Sequence, residues 1–210
     1  IRRGKCPLDT YYDLGRLYML KLQASEAEEI YLKLLVIRPG DKTAKLRLAD
    51  IYDYRKEYDK VVLLYRELVR DHPDDEPVAF SFAEVLLKYK RYQAALLWIQ
   101  ECSDRFGGGA RWNDLLLDVL LKTENRDQAI QMIESLRTSG QLKPEMLKTL
   151  AEIYHEIGAY EKAKEILEEY HEKTGGDYRS HHVLGDVLTK LGDKSGGKRE
   201  YEEALRLLRG

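Results

Sequence analysis

Cysteine is almost missing from this chain: its 210 residues include only Cys6 and Cys102. Two thiols so far apart in sequence make no disulfide framework, so cysteine usage points to no oxidising compartment. Cys102 takes a place that leucine holds elsewhere in the chain (Leu34, Leu68, Leu136) and reads as a small buried hydrophobe. An excess of charge is missing as well. Thirty-five Lys and Arg face 37 Asp and Glu, a net charge of −2, which excludes an overall field drawing the chain to nucleic acid or an acidic membrane. No apolar run nears the roughly 20 residues that span a bilayer. The longest, Val61 to Tyr65 and Leu115 to Leu121, are short, and Asp118 interrupts the second. No membrane insertion is expected. A signal-peptide pattern is absent and the first residue is Ile1 rather than Met. The chain reads as a segment of a longer protein or a processed form, with cytoplasm and bacterial periplasm both open as its location.

Catalytic motifs are equally scarce. There is no phosphate loop, dinucleotide fingerprint, zinc-spaced Cys/His set or nucleophile elbow. His181 and His182 are adjacent, and neighbours on a helix point about 100° apart, a poor chelate. His155 shares its helix with Glu152 and Glu156 but lacks a second ligand type nearby. Paired carboxylates on an open surface lack the burial that would split their pKa values. The sequence therefore predicts no enzyme, no metal and no cofactor.

What the chain has in abundance is repetition. Ala27, Val61, Ala95, Ala129, Ala163 and Gly197 stand 34 residues apart, in register and without insertion. Leu14, Leu48, Phe82, Leu116, Leu150 and Leu184 follow the same step, as do Tyr31, Tyr65, Ile99, Ile133, Leu167 and Tyr201. A fixed period of this length means a stack of like supersecondary units, each burying its apolar face against the next. Each unit reads as two helices. Leu147, Leu150, Ala151 and Tyr154 recur at helical spacing; after the turn at Gly158-Ala159-Tyr160, Ala163, Leu167 and Tyr170 do so again. Pro144 fits a first helical position, where a missing N–H is harmless, and Gly175-Gly176 can supply positive φ at a helix end. No segment alternates with a period of two, so no strand is expected.

These residues resemble the tetratricopeptide repeat. Leu14-Gly15-x-x-Tyr18, Ala27-x-x-x-Tyr31 and Pro39 match its pattern, and Leu48-Ala49-x-x-Tyr52, Val61, Tyr65 and Pro73 repeat it. Leu150-Ala151-x-x-Tyr154 with Ala163 and Leu167 is as clear. The resemblance implies an all-α fold, a right-handed superhelical solenoid of antiparallel helix pairs. Its repeats span 8–41, 42–75, 76–109, 110–143, 144–177 and 178–210, after a flank at 1–7. The small residues at Gly15, Ala49, Ala83, Ala151 and Gly185 let helices approach closely, and most of the 15 tyrosines fall on packing positions. Trp98 and Trp112 are expected to pack too. Leu117 replaces the small residue in the fourth repeat, which follows Gly107-Gly108-Gly109; that unit is expected to be the least regular. Gly196-Gly197 is expected to fray the last helix. Leu205, Leu207 and Leu208 on that helix suggest a truncated end, since terminal repeats need a solvating outer face.

The resemblance further implies a concave groove lined by the first helix of each repeat. Its ninth position reads Arg16, Asp50, Glu84, Asp118, Glu152 and Asp186, an acid in five successive units. Asp53 and Glu156 add to this ladder, Arg47 interrupts it, and Tyr12, Tyr54 and Phe80 are the aromatics placed on the groove. Lysines four residues after Glu84, Asp118 and Asp186 permit local pairing instead, so the ladder is either a binding determinant or a solvated face. Asp50-Asp53 and Glu152-Glu156 look least neutralised. Chaperone-binding repeats resemble a two-carboxylate clamp of lysine, asparagine and arginine; Tyr12, Arg16, Arg47, Pro77 and Ser81 stand at those positions here, which argues against a chaperone tail. Two readings follow. One is a non-enzymatic scaffold that binds an extended peptide or partner helix, basic in character, along the groove. The other is a periplasmic module of a bacterial exopolysaccharide-secretion system, its acidic groove engaging a cationic polysaccharide or the enzyme that modifies it.

Overall fold

The structure, a computed structural model, describes residues 8–209. The flank at 1–7, with Cys6, and Gly210 lie outside the described residues. Among these residues there are twelve helices and no strand: α1 (Leu8–Leu20), α2 (Ala24–Ile37), α3 (Lys42–Tyr54), α4 (Tyr58–Asp71), α5 (Glu76–Lys88), α6 (Tyr92–Phe106), α7 (Ala110–Lys122), α8 (Arg126–Thr138), α9 (Pro144–Glu156), α10 (Tyr160–Thr174), α11 (Tyr178–Lys190) and α12 (Lys194–Arg209). The chain divides into two compact units, Ile1–Val119 and Leu120–Gly210, with the division inside α7. In the first, α1 packs on α2, α3 on α4 and α5 on α6, and each pair leans on the next. In the second, α9 packs on α10 and α11 on α12, with α8 against α9 and α10 against α11.

One turn recurs in all six repeats. The residue ending the first helix turn-around is left-handed at Leu22, Lys56, Lys90, Glu124, Gly158 and Gly192, with φ between 57° and 93°. The next residue then donates its N–H five residues back: Gln23 to Tyr18, Glu57 to Tyr52, Arg91 to Leu86, Asn125 to Leu120, Ala159 to Tyr154 and Asp193 to Leu188, at 2.8–2.9 Å. This is the Schellman closure, which satisfies carbonyls orphaned at a helix end. Only the last two repeats use glycine there. The other four hold a side chain in a conformation that L-residues adopt at a cost.

The small positions do what the pattern implies. A Cβ on Gly15 would stand 2.5 Å from the Tyr31 ring, and one on Gly185 would stand 2.7 Å from the Tyr201 ring. Glycine in these two repeats makes room for an aromatic from the paired helix. Tyr31, Tyr52, Tyr154 and Tyr170 are buried, and Cys102 is fully so. Burial pushes the Cys102 thiol up to about 11, as suits an inert packing residue. The expected fraying of the last helix is corrected. Helix α12 runs unbroken from Lys194, and Gly196 and Gly197 are buried. A Cβ on Gly197 would lie 2.8 Å from the Gly185 carbonyl and 2.4 Å from Thr189 Oγ1. The pair thus allows α12 to touch the backbone of α11, and the packing offsets the low helix propensity.

Asp41, Asp75 and Asp177, 34 or 102 residues apart, cap α3, α5 and α11 by accepting from Ala44, Val78 and Ser180 N–H. Each also takes a side chain from the first helix of the repeat that it closes. Tyr12 donates to Asp41, Lys42 to Asp75, and Lys148 to Asp177 at 2.7 Å. These caps therefore tie successive repeats together as well as starting helices. At the same position the third and fourth repeats carry Gly109 and Lys143.

Candidate functional site

Within the first unit, the acids expected on the groove are largely engaged. Arg47 Nη1 lies 3.1 Å from Asp50 on the exposed face of α3. Asp53, at the end of α3, accepts from Lys88 Nζ and from the Tyr89 hydroxyl, both at 2.6 Å and both from the next repeat. The Lys88 and Tyr89 hydrogen bonds hold the Asp53 carboxyl below the usual carboxylate range. Lys88 thus reaches back to Asp53 rather than one turn up its own helix to Glu84, because the neighbouring repeat brings that carboxylate within reach. Arg16 faces Asp13 at 4.0 Å. Tyr54 is exposed beside a cleft of about 400 Å³ that it shares with Asp53, Lys56 and Tyr58. Asp118 is half-buried on α7.

Two aromatics differ from expectation. Phe80 is buried, edge-on to Trp112 at 5.2 Å, with the Arg111 guanidinium 3.9 Å above its face. It belongs to the packing because Trp112 opens the next repeat against it. Tyr12 is half-buried and spends its hydroxyl on Asp41.

The second unit is arranged differently. Glu156 is held by Arg126 Nε at 3.0 Å, so this end of the Glu152–Glu156 stretch is neutralised too. Asp186 accepts from the Tyr201 hydroxyl and faces His182 Nδ1 at 3.8 Å. Glu152 is half-buried on α9, and burial pushes its carboxyl above the usual range against the pull of Lys148 and Arg179. It stands at the lip of a cleft of about 510 Å³ formed by α9, α11 and α12. The cleft wall is Tyr178, Val183, Tyr201, Ala204, Leu205 and Leu208, with Arg179 and His182 beside Glu152. Leu205 and Leu208 are 52% and 59% exposed, an apolar stripe that no described element covers.

Of the predicted site residues, the structure gathers Asp53 with Tyr54, and Glu152 with Glu156 around a second small cleft that includes Arg126. It leaves Phe80 in the core. The sequence reading missed the cleft itself, although the leucines of α12 were its visible signal. It also missed His171, His181 and Glu200, which come together from α10, α11 and α12. In the sequence His181 stands out only beside His182.

Models of the tetratricopeptide repeat match residues 43–75, 145–170 and 178–207. A search by sequence against curated proteins finds no match. Among solved structures, the chain is similar to Pseudomonas aeruginosa PilF at 22% identity, over 97% of this chain and 92% of that one, with a TM-score of 0.57. It is similar to PilW, described as a widely conserved type IV pilus biogenesis factor, at 17% identity over 94% and 91%, with a TM-score of 0.56. It is also similar to the C-terminal part of a repeat-containing protein from Cytophaga hutchinsonii, at 16% identity over 92% and 77%, with a TM-score of 0.67. At these identities the likeness is one of fold. No helix among the described residues is long and apolar enough to cross a membrane.

Proposed function

We propose that this chain is a non-enzymatic scaffold of the tetratricopeptide-repeat type whose second unit holds a basic amphipathic segment of a protein partner. The observation that carries this reading is the cleft between α11 and α12, apolar along Val183, Leu205 and Leu208 and bounded by Glu152. An apolar trough takes the leucine stripe of a helix or extended peptide. Among the described residues Glu152 makes no ion pair, and its half-burial raises the cost of its charge, which a lysine or arginine from the partner would offset. The acids Asp50, Asp53 and Glu156 offer less, being already engaged by Arg47, Lys88 and Arg126. The second reading, a periplasmic exopolysaccharide-secretion module, needs a run of open carboxylates for a cationic polymer. The apolar cleft favours the peptide.

Fluorescence anisotropy with labelled amphipathic peptides tests this. One peptide carries lysine beside its leucine stripe and the other glutamate. The lysine peptide is expected to bind saturably, Leu208→Asp to abolish binding, and Glu152→Gln to weaken it about tenfold, ~1.4 kcal/mol. Equal binding of both peptides, or binding untouched by Leu208→Asp, would overturn the reading. Tighter binding of deacetylated amino-sugar oligomers than of either peptide would favour the polymer.

A further inference from the structure

We propose that His171, His181 and Glu200 form a binding site for a divalent metal ion of the zinc class. Three helices supply the three side chains, and their ligand atoms all lie within 4.8 Å of one another. Imidazole and carboxylate are the donors that zinc and its late transition-metal neighbours take, three protein ligands with a position left for water.

The cluster is close to the shape that coordination needs. His181 Nδ1 and Glu200 Oε2 are 2.7 Å apart. Ligands at ~2.0 Å from a tetrahedral ion stand about 3.3 Å from each other. An ion replacing the proton between these two atoms would part them by only about half an ångström on that geometry. The His171 ring lies against the His181 ring, with centroids 4.1 Å apart and planes tilted by 38°. It now contacts Ser180 Oγ through Nε2 at 2.9 Å, a contact it would give up to turn inward. Gly176 makes room for both rings where they stand: a Cβ there would lie 2.7 Å from His181 Nε2 and 3.0 Å from His171 Nε2.

Two observations favour an ion over a plain hydrogen-bonded pair. Three donors from three different helices converge within 4.8 Å, where a hydrogen-bonded pair needs only two. His181 is 9% exposed, so its position is fixed by packing before any ion arrives. The site shares α11 and α12 with the apolar cleft but none of its lining residues, and does not depend on the peptide reading.

Zinc titration by calorimetry, with cobalt as a visible-absorption probe, tests the site on the whole chain. One equivalent of Co²⁺ is expected to bind with the absorption of a tetrahedral centre and to be displaced by Zn²⁺. Affinity should rise with pH as protons leave the imidazoles. His171→Gln and Glu200→Gln should each weaken binding at least about tenfold, while His155→Gln leaves it unchanged. Circular dichroism of each variant separates a lost site from a lost fold. Absence of saturable 1:1 binding in the unaltered chain would overturn the proposal, as would equal affinity in a folded Glu200→Gln variant.

Discussion

The two units share one period and are held together by different chemistry. The first is knit by aromatic rings: Tyr65 stacks on Phe82, Phe82 meets Trp98 at 5.3 Å, and Trp112 sits between Phe80 and Phe106. Its Lys45, almost fully buried, is neutralised by Glu67 and Asp71 at 2.8 and 2.7 Å. The second unit packs mainly aliphatic residues (Leu147, Leu150, Ile166 and Leu167) around Tyr154 and Tyr170 and leaves Tyr178 and His182 at its edge. It also leaves a half-buried acid without an ion pair and an uncovered leucine stripe. The difference teaches that a repeat fixes where side chains stand but not whether they satisfy one another. Function is proposed where satisfaction is least complete.

The largest effect that would test this contrast is Trp112→Ala. Its ring is buried between two phenylalanines, and removal should cost the first unit roughly 4 kcal/mol, seen as a lower denaturant midpoint and faster amide exchange over 76–119. An unchanged midpoint would deny the aromatic knit.

A sharper comparison sets Gly15→Ala against Gly185→Ala, at the same repeat position. Both force a tyrosine aside, but Tyr31 is buried at 1% exposure whereas Tyr201 is half-buried and can yield. Overpacking of this kind costs about 1–3 kcal/mol, with Gly15→Ala expected at the upper end. The reverse order in paired melting curves would show that the second unit is the tighter.

A smaller effect comes from pH. Burial raises the Asp177 carboxyl, but Lys148 and the Ser180 N–H outweigh it and bring it down to about 2. A carboxyl depressed in the folded state stabilises above its unfolded value and loses that contribution as it protonates. Stability of the second unit should therefore fall as pH drops from about 4 to 2, by ~1 kcal/mol after allowing for solvent screening. Asp177→Asn should remove that acid-dependent loss, while a loss of equal size in the variant would assign it elsewhere.

The smallest expected change is a gain. Lys90→Gly relieves a left-handed side chain at φ 57°, and should add about 0.5 kcal/mol by thermal melting once the looser unfolded chain is counted. The second unit already has glycine at two such turns.

The fold was legible because its signal is additive. Six copies of one pattern, with Leu14 or its equivalent before a small residue in most, leave little room for another period. The turns were less so: Lys56 and Glu124 do not look like left-handed residues, since the local closure of the helix end rather than propensity places them there. The site was legible only in part. Periodicity gives the column of Asp50 and Glu152 but not which acids are engaged, since a partner can arrive from the neighbouring repeat, as Lys88 does for Asp53. Phe80 and His171 were out of reach for the same reason, each being defined by a residue one repeat unit or one turn away.

The Schellman closures have a consequence for how the chain acquires its structure. Each helix hairpin is sealed by a bond spanning five residues, and most packing joins a helix to the one beside it in sequence. Loop closure on that scale costs little entropy, and contact order is low. Any hairpin can then serve as the nucleus from which its neighbours zip, and the order of assembly is set by local stability rather than by the position of a unique folding core.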